Sequence, residues 1–212
     1  MNETTALVIL MVLAYLLGSL SPSVWISKGY FGFDIRSKGS GNAGATNTFR
    51  VLGTKVGILV LFLDIIKGLT AASLPFFLGT SEPGSERFMN QQLLCGVLAV
   101  VGHIFPVYEH FKGGKGIATL LGMVVAIFYP LALICIGVFI IVLLVTRYVS
   151  LSSMLAVIAF PVCAYFVFHI PSTWVIVFGL AASFLVIWTH QANIKRLLDG
   201  TESKANLFKS KG

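Results

Sequence analysis

Residues Ile117 to Thr146 read IATLLGMVVAIFYPLALICIGVFIIVLLVT, and the reading of this run decides the fold. As one straight helix its roughly 30 residues would be about 45 Å long, too long for an untilted crossing of a hydrocarbon core about 30 Å thick. Pro130, near the middle, has no backbone N–H to donate, and its ring clashes with the preceding turn. The run is expected to break there into two short helices of about 15 residues, each reaching about 22 Å. They would form a hairpin that starts and ends on the same side.

The remaining runs follow outward from it. Apolar segments are expected at about Ala6–Ile26, Val56–Leu78, Phe88–Val107, Met154–Phe168 and Thr173–Thr189. Polar connections are expected at Ser27–Thr54, Gly79–Arg87, Arg147–Ser153 and at the short turn His169-Ile170-Pro171-Ser172. The composition agrees. The chain has 212 residues, 57% of them hydrophobic and only 11% charged, with a mean hydropathy of +0.91. Soluble domains carry roughly 25% charged residues. The expectation is an all-α polytopic membrane protein of seven transmembrane helices, one domain over residues 1–212. Asn2 and Glu3 precede the first run without a basic region, so that run is expected to remain as a spanning helix.

Charge placement orients the bundle. With seven spans, one side holds Lys28, Arg36, Lys38, Arg50, Lys55, Lys112, Lys115, Arg147, Lys195, Arg196, Lys204, Lys209 and Lys211. That is 13 of the 15 Lys and Arg; the other side has Arg87, and Lys67 lies within a helix. Positive residues stay cytoplasmic, so the N-terminus is expected outside and the C-terminus in the cytoplasm. The net charge of +7 could suggest nucleic acid. Basic residues set between apolar spans fit anionic headgroups and phosphate ligands better. Cys95, Cys135 and Cys163 each lie in an apolar run, with no metal-ligand or redox spacing, and read as buried thiols. Asp64 and Lys67, three apart on one helix face, either pair to fix packing or line the site.

Three polar clusters fall on the basic side. The first is Arg36 to Asn47, with Arg50 three residues on. Ser40, Gly41, Asn42, Thr46 and Asn47 offer hydroxyls, amides and room for an oxygen-rich group, and Arg50 can grip a phosphate through two parallel hydrogen bonds. The second contains Gly113-Gly114-Lys115-Gly116, just before the helix start at Ile117. Glycines leave the backbone free to crowd a ligand, successive N–H groups can form an anion-binding concavity, and Lys115 adds a full charge. A lysine followed by Gly116 is not the ATP-type P-loop, which needs Ser or Thr there. Taken alone, this run is equally a flexible inter-helix turn. The third cluster is His190 to Glu202, with His190 and Asn193 on one face if the last helix continues; Ser150, Ser152 and Ser153 add hydroxyls. Glu109 beside His110 reads as surface charge. No Ser-His-Asp pattern, paired carboxylates, HExxH or His-four-Asp acyltransferase motif is present. The inventory favours direct transfer between two bound substrates.

The runs Gly39–Asn47, Gly102–Val107 with Phe111–Thr119, and His190–Glu202 resemble, in order and spacing, the motifs of the bacterial acyl-phosphate-dependent glycerol-3-phosphate acyltransferases. The resemblance covers almost the full chain. It implies a seven-helix inner-membrane enzyme that moves a fatty acyl group from acyl phosphate to the 1-hydroxyl of sn-glycerol 3-phosphate. The products are lysophosphatidate and phosphate, the first acylation of phospholipid synthesis. It implies no metal, no cofactor and no nucleic acid. The partners are the two substrates, membrane lipids and, by functional coupling, the soluble enzyme that makes acyl phosphate. Carried over by motif, Ser40, Arg50, Lys115, His190 and Asn193 line the active site. Ser153, or alternatively Ser150, joins them, and Gly113, Gly114 and Gly116 form the cradle. His190 and the donor's own phosphate remain rival bases. The main rival function is a transporter for a phosphorylated metabolite, which would also set broken helices around an anion; a lipid-binding scaffold is a weaker one.

Overall fold

The computed structural model describes residues 2–170 and 172–205. Met1, Pro171 and residues 206–212, with Lys209 and Lys211 of the basic tail, lie outside the described residues. Among the described residues the chain is helical throughout, with nine α-helices and no strand. These are α1 (Glu3–Ser19), α2 (Pro22–Phe31), α3 (Ala45–Leu52), α4 (Thr54–Phe77), α5 (Glu86–Ile104), α6 (Ile117–Thr146), α7 (Val149–Phe166), α8 (Thr173–Thr189) and α9 (Gln191–Leu198). They fall into two compact units, Met1–Tyr129 and Pro130–Gly212.

In the first unit α1, α4 and α5 pack side by side around Leu10, Ala14, Ala71, Leu74, Cys95 and Ala99. Small residues suit such contacts, because in lipid helices associate by close packing rather than by escape from water. Gly68 of α4 touches the Thr119 carbonyl at the start of α6, where a Cβ would have no space. The first apolar run, expected as one span, is bent. α1 and α2 meet at 41°, because Pro22 has no N–H and keeps Ser21 out of helical geometry (φ −118°, ψ 71°). The stretch expected as a loop over Ser27–Thr54 is partly helical. α2 runs to Phe31 and ends on Gly32 at φ 71°, and α3 occupies Ala45–Leu52. That short helix carries no apolar run that would reveal it in the sequence.

α6 leaves helical geometry at Phe128 (φ −155°, ψ 84°), two residues before Pro130. This is the expected break: Pro130 has no N–H for the ladder, and its ring crowds the preceding turn, which contains Phe128. In the second unit α7 packs on α8, with Gly179 against the Phe160 ring. The expected loop Arg147–Ser153 shortens to two residues, since α7 begins at Val149 and carries the serines itself. α8 and α9 meet at 62°, so the last helix does not continue straight past His190.

Four helical segments are long and apolar enough to cross a membrane, and up to six spans result if each bent pair is one. Their outward faces agree, with Phe62 58%, Ile141 63%, Val145 79% and Phe184 73% exposed. Side chains of this kind face hydrocarbon without penalty, whereas in water they would be sticky patches.

Candidate functional site

In the first unit two of the polar clusters are brought together. The loop Ile35–Gly44 is shaped by one residue, Asn47, which is 1% exposed. Its Oδ1 accepts from Ser40 N at 2.8 Å, and its Nδ2 donates to the carbonyls of Ile35, Lys38 and Asn42 at 3.0–3.1 Å. The amide is therefore committed to the loop's own backbone. Gly39 and Gly41 take φ 62° and 74°, which only a residue without Cβ adopts easily. Ser40 and Arg50 are exposed on this loop and on α3, with Thr46 exposed and Asn42 half-buried beside them.

The glycine run packs against that loop. Gly114 N donates to the His103 carbonyl at 3.0 Å and Gly113 N to the Ile104 carbonyl at 3.1 Å. A Cβ on Gly114 would overlap His103 Nε2 and the Ala43 carbonyl. So Gly113 and Gly114 are small because of close approach, and only Gly116 needs a left-handed backbone, at φ 80°. Lys115 is half-buried in the same loop. α6 starts at Ile117 immediately after it, and its first-turn amides, left without helical partners, sit beside the lysine.

A charge network ties the two loops together, and the sequence reading missed its centre. Glu109 is 5% exposed, not surface charge. Its carboxylate accepts from Trp25 Nε1 at 2.9 Å and from Lys28 Nζ and Arg36 Nη2 at 3.0 Å. Arg36 Nη1 also donates to the carbonyls of Glu109 and Lys112, at 3.2 and 2.8 Å. The signal that could have found it is a lone acid in a basic loop between two apolar runs. His110 and Phe111 follow with φ 54° and 59°, a conformation that costs about 1 kcal/mol or more each outside glycine. Glu109→Gln leaves two cations without their buried counter-ion. It is expected to destabilise by about 2–3 kcal/mol, read as a fall in thermal midpoint in detergent, with Arg36→Lys intermediate.

The second unit holds the third cluster. His190 is buried at the α8–α9 bend, and its Nδ1 lies 2.8 Å from the Val186 carbonyl. A carbonyl can only accept, so the proton of the neutral ring sits on Nδ1 and Nε2 is the acceptor nitrogen. Asn193 Nδ2 and Ser150 Oγ both donate to Glu202 Oε1, at 2.6 and 2.8 Å, and Arg196 Nε donates to Glu202 Oε2 at 2.6 Å. Ser153 Oγ instead donates to the Val149 carbonyl at 2.9 Å. Of the two candidate serines, Ser150 is the one that shares a partner with Asn193. Glu202 itself was passed over as a site residue in the sequence, being one more charge in a polar tail.

Two carboxyls outside the spans are held low. Hydrogen bonding to Arg36 brings Asp34 from 3.8 to about 2. Burial pushes Glu202 up, but hydrogen bonds from Asn193, Arg196 and Ser150 outweigh it and hold it below 4.5. Both folded values lie below the unfolded ones. Their stabilisation is therefore full above about pH 5 and is lost as pH falls through the folded values. The thermal midpoint is expected to drop more steeply between about pH 4.5 and about pH 2 in the native chain than in Asp34→Asn/Glu202→Gln, which starts lower at neutral pH.

Comparison with known proteins gives one answer. Residues 8–200 match the family described as glycerol-3-phosphate acyltransferase. The chain is 40% identical to the glycerol-3-phosphate acyltransferase of Chlorobium phaeobacteroides, with 93% of this chain and 96% of that one covered. It is 41% identical to that of Listeria monocytogenes, with 95% and 98% covered. Among solved structures it is similar to PlsY, an integral membrane glycerol 3-phosphate acyltransferase, crystallised in a glycerol 3-phosphate form. The TM-score is 0.85 at 36% identity, covering 96% of this chain and 99% of that one. The lysophosphatidic acid form of the same protein matches with a TM-score of 0.80, also at 36% identity, covering 93% and 94%.

Proposed function

Because the chain belongs to the glycerol-3-phosphate acyltransferase family, we propose that it takes its acyl group from acyl phosphate and gives it directly to the 1-hydroxyl of glycerol 3-phosphate. The observation that carries this reading is the glycine run, with Lys115 and the α6 amides, pressed against the Ser40 loop. One element offers backbone N–H groups and an ammonium, the other hydroxyls and Arg50. Two phosphate-bearing substrates need two such grips.

In the reaction the acceptor hydroxyl oxygen attacks the acyl carbon, and the carbon–oxygen bond to phosphate breaks. The proton leaves the hydroxyl for the departing phosphate oxygen or for His190 Nε2. The products are lysophosphatidate and inorganic phosphate. Phosphate is already a competent leaving group, so no acyl-enzyme intermediate is required. Lys115 and the first-turn amides of α6, brought close by the packing of Gly113, Gly114 and Gly116, hold one phosphate; Arg50 with Ser40 holds the other. Asn42 and Thr46 supplement that grip, while Asn47 shapes the loop from beneath. Asn193, Ser150 and Ser153 stabilise charge at the reacting centre.

The chain is read as one acyltransferase domain with seven spans, the N-terminus outside and the C-terminus in the cytoplasm. The hairpin at Pro130 makes two of those spans. It sits in the bacterial inner membrane, faces the cytoplasm, and draws acyl phosphate from the soluble enzyme that makes it. The decisive experiment is phosphate release by the purified protein with acyl phosphate and glycerol 3-phosphate, each also omitted in turn. Acyl-CoA and acyl carrier protein are tested as donors in parallel. Release that needs both substrates supports the reading. Turnover with acyl-CoA instead overturns the donor, and uptake of glycerol 3-phosphate into vesicles without turnover would favour the transporter.

A further inference from the structure

Three ionisable side chains, Asp64, Lys67 and His103, meet in the interior of the first unit at 2%, 4% and 6% exposure. The acyl transfer as described uses none of them. Lys67 Nζ lies 2.9 Å from Asp64 Oδ1 and donates to the Leu20 carbonyl at 2.6 Å. His103 Nδ1 lies 3.4 Å from the same Asp64 oxygen and 3.2 Å from Thr119 Oγ1, in the first turn of α6. The other ring nitrogen, Nε2, faces Gly114 at the side where a Cβ would sit. The His103 backbone carbonyl receives Gly114 N.

A buried ion pair is weak glue. Its desolvation offsets most of its attraction, and apolar residues of equal volume often stabilise as well or better. Packing alone therefore does not account for a carboxylate, an ammonium and an imidazole in one spot. Their arrangement has a direction: Leu20 carbonyl, Lys67, Asp64, His103, Gly114. Each member touches the next, and the last is the cradle backbone.

We propose that Asp64 and His103 are positioning residues for the glycine run. Asp64, beside Lys67, faces the imidazole, and the ring edge supports Gly114 so that Lys115 and the first-turn amides of α6 are aimed at one phosphate group. Thr119 ties the same ring to the α6 N-terminus, so loop and helix amides are set together. This rests on the reading of the glycine run as a phosphate grip. The phosphate belongs either to glycerol 3-phosphate or to acyl phosphate, and the two substrates give the test its arms.

The variants are Asp64→Leu/Lys67→Met, which removes the carboxylate beside His103 and leaves neither charge buried alone, and His103→Asn, which keeps a nitrogen near Asp64 but withdraws the ring edge. Each is purified, its thermal midpoint measured, and KM and kcat determined with either substrate varied. A shift of the loop by a fraction of an ångström is expected to raise KM for one of the two substrates by about 10-fold to 100-fold. The KM for the other, and the thermal midpoint of the double variant, stay near the native values. If KM is unchanged for both substrates, or both KM values rise in step with a lowered midpoint, the cluster is only a packing device and the proposal is overturned. Lys115→Ala is the separate control. If it too leaves KM and kcat untouched, the phosphate-grip reading fails, and the positioning role fails with it.

Discussion

Lys115→Ala is expected to lower kcat/KM for acyl transfer by about 10²- to 10³-fold, the range seen when one preorganised charge-stabilising donor is removed from an enclosed site. The lysine is half-buried between two glycines, immediately before α6. On the proposed reading its ammonium would act together with the first-turn amides of α6, partly shielded from water. Lys115→Arg keeps the charge but spreads it over a larger planar group, and should recover only part of the loss. Steady-state kinetics with both substrates, beside a thermal midpoint that stays within a few degrees (roughly,), checks this. A loss under about threefold, less than 1 kcal/mol, would show that this charge is not at the reacting phosphates.

The second large effect is expected from a single methyl group. Gly114→Ala puts a Cβ into His103 Nε2 and the Ala43 carbonyl. Neither can yield: the ring is held by Asp64 and Thr119, and the Ala43 backbone belongs to the loop braced by Asn47. The loop itself must shift by about 1 Å, enough to cost about 10²-fold in turnover. Gly116→Ala tests something different. Gly116 sits at φ 80°, so alanine there should cost roughly 1–2 kcal/mol of stability through backbone strain. Comparing kcat/KM and thermal midpoint for the two variants separates collision from strain.

Much of this was legible in the chain. Long apolar runs declare membrane helices because every backbone polar group in lipid must be paired within its own segment. Pro130 declared the break found at Phe128, and the glycines beside Lys115 declared a close approach of backbone, found at Gly113 and Gly114. Most of what escaped notice has a common cause. The helix α3 and the burial of Glu109 depend on partners distant in sequence, whereas the bend at Pro22 had a local signal inside an unbroken apolar run. Glu109 meets Lys28 across 81 positions and Arg36 across 73. An isolated acid looks the same on the page whether it faces water or closes a network. Likewise the resemblance favours Ser153 over Ser150, whereas in the structure Ser150 shares Glu202 with Asn193 and Ser153 bonds its own helix.

The bond from Lys67 to the Leu20 carbonyl bears on how the protein is made. It joins the α1–α2 bend to a residue 47 positions later. Ribosomes deliver a chain from its amino end, so the bent segment reaches lipid while its ammonium partner is still unsynthesised. Until α4 arrives, that oxygen must be satisfied by water or by the insertion machinery. The bend itself is set by Pro22 as soon as the segment is made, and the lysine closes the carbonyl it leaves open only once α4 is in place.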